Sequence, residues 1–90
     1  MPIMPSTLST KQREQFIKLC QAARAAIERG QLQDAQLYFR YAAQIHPHSI
    51  TVWLGLAKVS TDLEDKRVAL ENILALDPSH LEAQQLLNEL

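Results

Sequence analysis

The side chains in this 90-residue chain that could do chemistry are three histidines, one cysteine and a cluster of acids. His46 and His48 form a His-x-His pair, a spacing able to bind a metal ion. No third ligand stands at a suitable distance from them. His80 lies elsewhere, and all three sit beside Pro47 or Pro78, so they read as solvent-exposed turn residues. Cys20 is alone, so no intrachain disulfide can form. With no His or second Cys at motif spacing, it reads as a small packed residue rather than a nucleophile. Asp62, Glu64 and Asp65 gather at an expected helix start, where acids answer the helix dipole without any catalysis. No glycine-rich phosphate loop or nucleophile motif is present. The expectation is therefore a protein that is not an enzyme and needs no metal or cofactor.

Bulk composition narrows the class. Ninety residues make one small domain, near the lower limit for a self-sufficient core. A hydrophobic content of 47% with 21% charged residues is that of a globular chain rather than a disordered one. Two glycines and an abundance of Ala, Leu, Gln and Glu favour helix. A net charge of −1 gives no reason to expect nucleic acid as a partner. The charge is unevenly spread: residues 1–49 hold six bases and three acids, and residues 50–90 hold three bases and seven acids. That asymmetry could assist head-to-tail association, or it could be an ordinary solvated face. The first ten residues lack the basic start and apolar run of a secretory signal. No stretch approaches the roughly 20 apolar residues of a membrane span. A cytoplasmic protein that does not insert into membranes is expected.

Five helices follow from the periodicity. Residues 1–9, with Pro2 and Pro5, read as a flexible leader ending at the cap residue Ser9. Ser9 and Gln12 form a capping box for helix one, about Thr10–Arg29, which Gly30 stops. Its apolar face is Phe16, Leu19, Cys20, Ala23, Ala26 and Ile27. Helix two, about Leu32–Ile45, carries Ala35, Leu37, Tyr38, Phe39, Ala42 and Ile45, and Pro47 ends it. Ser49 caps helix three, roughly Ile50–Ser60, whose apolar set is Val52, Trp53, Leu56, Ala57 and Val59. Thr61 and Glu64 form a second box opening helix four, about Leu63–Leu76, with Leu63, Val68, Leu70, Ile73, Leu74 and Leu76 as its buried set. Ser79 and Glu82 form a third for helix five, about Leu81–Leu90, which buries Leu81, Ala83, Leu86 and Leu87, with Leu90 a further candidate. Turns this short force successive antiparallel pairs.

These elements repeat. Ala42, Ile45 and Pro47 follow Phe39 at the offsets at which Ile73, Leu76 and Pro78 follow Leu70. Trp53 and Gln84 each lie six residues past the corresponding proline. A 31-residue period of two-helix units marks a stacked array. Trp53-x2-Leu56-Ala57, Ala35-x3-Phe39-x2-Ala42 with Pro47, and Leu74-Ala75-Leu76-Asp77-Pro78 together resemble the tetratricopeptide repeat family, whose unit is about 34 residues. The resemblance implies an all-α, right-handed α-solenoid of antiparallel helix pairs. Residues 10–48 form a first unit, 49–78 a shortened second unit and 79–90 a capping helix. The second unit is three residues short, with Lys66 opposite Ala35, so helix three or four is expected to be trimmed and their turn tightened.

In that family the first helix of each pair lines a concave groove that binds peptides. The resemblance puts Ile17, Cys20, Arg24 and Ile27 there, with Thr51, Leu54 and Lys58 from helix three and Gln85 and Glu89 from helix five. Leu54 also lies off the face that Trp53 and Leu56 bury, leaving it without a core role. Arg24 and Lys58 should align, either as a row for an acidic peptide or as two surface cations. The expected function is a small interaction module, an adaptor or scaffold binding a peptide or helix of a partner protein. The other reading is a structural subunit that self-associates as a homo-oligomer or docks in a larger complex through its helical ends or convex side, with Phe16 and Tyr41 near the open first end.

Overall fold

A serine starts the first helix. In the computed structural model, which describes residues 8–90, the Gln12 N–H donates to Ser9 Oγ at 3.1 Å and the Ser9 N–H to Gln12 Oε1 at 3.0 Å. This reciprocal pair satisfies two otherwise orphaned donors, and α1 runs over Thr10–Glu28 from it. At its other end the Gln31 N–H reaches Ala26 O at 2.8 Å and the Gly30 N–H reaches Ile27 O at 3.0 Å. That paired closure needs a left-handed residue between helices, which Gly30 supplies at φ 75°. Four more helices follow: α2 (Leu32–Ile45), α3 (Ile50–Val59), α4 (Leu63–Leu76) and α5 (Leu81–Asn88). No strand occurs among the described residues. Residues 1–7 of the expected leader lie outside them.

Helices α1, α3 and α5 stop one or two residues short of the expected ends, because Arg29, Ser60 and Glu89 serve as caps. Two of the expected capping boxes do not form. Asp62, not Thr61, caps α4, its Oδ1 accepting from the Glu64 N–H at 2.7 Å and the Asp65 N–H at 3.3 Å. A carboxylate one residue nearer the helix outcompetes the threonine, since it also answers the dipole. At α5 the cap is His80, whose Nδ1 accepts from the Ala83 N–H at 3.1 Å. Ser79 is engaged elsewhere: its hydroxyl and N–H both donate to Asp77 Oδ1, at 2.9 and 3.2 Å.

The two proline turns are built alike. The Trp53 indole Nε1–H donates to Pro47 O at 2.7 Å, and the Gln84 amide donates to Pro78 O at 2.8 Å. The Ser49 N–H closes on His46 O as the His80 N–H closes on Asp77 O, at 3.2 and 3.1 Å. Helix starts and ends recur at the same 31-residue interval: Leu32 with Leu63, Ile45 with Leu76. Burial also recurs at 34, pairing Ala23 with Ala57, Ala35 with Ala69 and Phe39 with Ile73. Both registers hold because three residues turn a helix by about 300°, which returns nearly the same face. The buried counterpart of Ala35 is therefore Ala69, not the half-buried Lys66. The three missing residues come out of the end of α3, which runs two residues past Ala57 where α1 runs five past Ala23. The α3–α4 turn keeps the same three residues as the α1–α2 turn.

Each helix packs chiefly on its neighbours in the chain, α1 on α2 and α3 on α4 most extensively, and the whole measures 44 × 32 × 18 Å. Alanines carry the closest contacts: Ala23, Ala26, Ala35, Ala42 and Ala83 are fully buried. Between the pairs, the Phe39 ring lies against α3 at Gly55. A Cβ placed on Gly55 would stand 2.6 Å from Phe39 Cζ and 2.8 and 2.9 Å from its Cε atoms. This glycine offsets its roughly 1 kcal/mol helix penalty by admitting an aromatic ring against bare backbone. Several residues assigned to the core from periodicity are instead exposed: Ile27, Leu37, Leu63, Val68 and Leu81. Leu63 and Val68 border open clefts rather than the packed core.

Candidate functional site

A cleft of about 270 Å³ separates α1 from the start of α3. Helix α1 presents Phe16, Ile17, Cys20, Gln21 and Arg24, which share one face at spacings of three and four. Opposite stand Ser49, Thr51 and Val52. The floor is apolar, since Cys20 and Val52 are buried and Phe16 packs against the core. Ile17 stands at the mouth, 47% exposed. Arg24 is exposed and enters no ion pair among the described residues, and no acid lines the cleft. The arrangement can enclose an apolar side chain and hold a neighbouring carboxylate with Arg24. Burial pushes the Cys20 thiol above its ordinary value, and the nearby Arg24 charge only partly opposes this. Cys20 is thus a protonated wall residue at neutral pH rather than a thiolate.

The structure brings Ile17, Cys20, Arg24 and Thr51 together as expected, but it separates the others. Leu54 is half-buried against the core, so it has the packing role the sequence reading denied it. Lys58 is held by Glu82 at 2.9 Å and lines a different cleft. It therefore does not extend a free cationic row from Arg24. Ile27 and Gln85 are exposed and line none of the clefts described here, while Glu89 shares the cleft of Lys58. Phe16 belongs to the α1–α3 cleft and touches the His46 ring edge-on at 5.3 Å, so it is not an end residue. His46 is consequently half-buried, with an unpartnered Nδ1, and His80 is a helix cap. Of the three histidines only His48 is an exposed turn residue. Among the described residues no group of three or more His, Cys, Asp or Glu could hold a metal ion.

Sequence reasoning missed a trough lined by Trp53 and Leu56 of α3. One part, of about 350 Å³, lies against Arg40, Ala43 and Gln44 of α2, and an adjoining part of about 150 Å³ reaches Asp65, Val68 and Ala69 of α4. Arg40 pairs with Asp65 at 3.1 Å, half exposed at both ends. Twenty-five residues separate the two in sequence, so no local pattern links them.

Compared with protein-family models, curated proteins and solved structures, this chain matches none. No helix among the described residues is long and apolar enough to cross a membrane.

Proposed function

We propose that this chain is a small protein-interaction module of the tetratricopeptide kind, binding a peptide segment of another protein in the α1–α3 cleft. Two antiparallel helix pairs and a closing helix, wound as a right-handed solenoid, would account for the recurring proline turns and the neighbour-on-neighbour packing. The observation that carries the binding reading is the cleft itself: an apolar floor, an unpaired Arg24 and no acid among its lining residues. Its charge and shape suit an apolar side chain flanked by a carboxylate.

Selection of the protein against a displayed random-peptide library tests this. Peptides pairing an acidic group with a neighbouring large apolar residue should be enriched. Arg24→Glu should weaken their binding at least about tenfold, equivalent to ~1.4 kcal/mol. Ile17→Glu should do the same by placing a charge at the cleft mouth. Selected peptides that bind both variants undiminished would locate binding elsewhere and refute the reading.

A further inference from the structure

Helix α2 leaves two large apolar side chains without a partner. Leu37 and Tyr41 are 46% and 48% exposed. Each lies two residues from Phe39, about 200° round the helix, and the Phe39 ring is the group that packs on α3. They therefore face away from α3, on the outer side of the first helix pair. At the other end of the series, α4 and α5 enclose a cleft of about 420 Å³ with the end of α3. Leu63, Leu70, Leu86 and Leu90 line its apolar part, beside Lys58, Lys66 and Glu89, and Leu63 is 60% exposed. One end thus offers apolar knobs and the other a leucine-lined recess with a charged rim.

The charges of the two ends are opposite. Helix α1 carries Lys11 and Lys18, seven residues apart with Glu14 between them, and the half of the chain containing it has a surplus of three bases. Helix α4 carries Glu64 and Glu71 at the same spacing, with Arg67 between them pairing with Glu64 at 3.9 Å, and its half has a surplus of four acids. Lys11, Lys18 and Glu71 enter no ion pair among the described residues. Seven residues span about 10.5 Å of helix, so the two stripes can be superposed.

We infer that a second copy of this chain docks head-to-tail, its Leu37 and Tyr41 entering the α4–α5 cleft while its basic α1 lies along the acidic α4. The contact is heterologous, with different surfaces on the two protomers, so it can continue from copy to copy. It is independent of whatever the α1–α3 cleft holds.

The test is sedimentation equilibrium over micromolar to millimolar protein. Weight-average mass should rise with concentration past that of a dimer, and association should weaken several-fold as added salt screens the stripes. Tyr41→Glu and Leu63→Glu alter exposed positions, and circular dichroism should find both folded. Each alone should remain monomeric. Mixed, they should form a 1:1 heterodimer that grows no further, because one protomer keeps a sound recess and the other sound knobs. A wild-type protein that stays monomeric throughout overturns the inference. So does a wild-type assembly that either variant fails to disrupt, or a mixture of the two folded variants that does not associate.

Discussion

Replacing Phe39 with alanine is expected to cost about 3–5 kcal/mol, the usual loss for a buried aromatic cut back to Cβ. A domain of this size has roughly 5–13 kcal/mol of stability in total, so the variant should melt well over 10 °C below the wild type. The reason lies in where the ring sits. Phe39 is 6% exposed and crosses from α2 to the bare backbone of Gly55 on α3, the junction between the first helix pair and the second. Removing it leaves a void that α3 cannot close, because Trp53 ties the start of that helix to Pro47. Phe39→Leu keeps most of the volume and should cost less than about 1.5 kcal/mol. Urea unfolding followed by circular dichroism measures both. An alanine variant within 1 kcal/mol of wild type would mean that the ring is not enclosed.

Ile73→Ala should cost about 2–5 kcal/mol, whereas Val68→Ala on the same helix should stay within about 0.5 kcal/mol. Ile73 is fully buried and stands in α4 where Phe39 stands in α2 at the 34-residue interval. Val68 borders the outer trough and is exposed. Hydropathy alone treats the two alike, so the contrast tests the placement of α4. Equal losses at both positions would require α4 to be rotated from the orientation described.

The elements were highly legible because local chemistry decides them. Ser9, Gly30, Ser49 and the two prolines fix helix boundaries through contacts within a few residues, and the expected spans hold to within two residues. Where Thr61 competes with Asp62, or Ser79 with His80, several candidate caps stand together, and only the turn geometry chooses among them. Burial was less legible. Leu63, Leu81 and Val68 carry the right residue types on helix sides that no neighbour covers. Gly55 carried a signal that could have been used, since a glycine inside a helix is costly unless something needs the space.

The site divides the same way. Ile17, Cys20 and Arg24 share a helix face, which spacing alone establishes, and Thr51 meets them across the cleft. Spacing could not reveal that Lys58 pairs with Glu82, because Glu82 lies on another helix. The trough between α2 and α4 depends on Arg40 meeting Asp65 across the fold, and no periodicity encodes that meeting.

Helices α1, α2 and α3 pack in chain order, with the Phe39 ring on Gly55 and Phe16 facing Val52 across the cleft. Nuclear Overhauser spectroscopy reads these proximities directly. Strong cross-peaks from the Phe39 ring protons to both Gly55 α-protons are expected, together with cross-peaks from the Phe16 ring to residues at the start of α3. Absence of the Phe39–Gly55 cross-peaks in a folded, helical sample would contradict the packing, and with it the cleft.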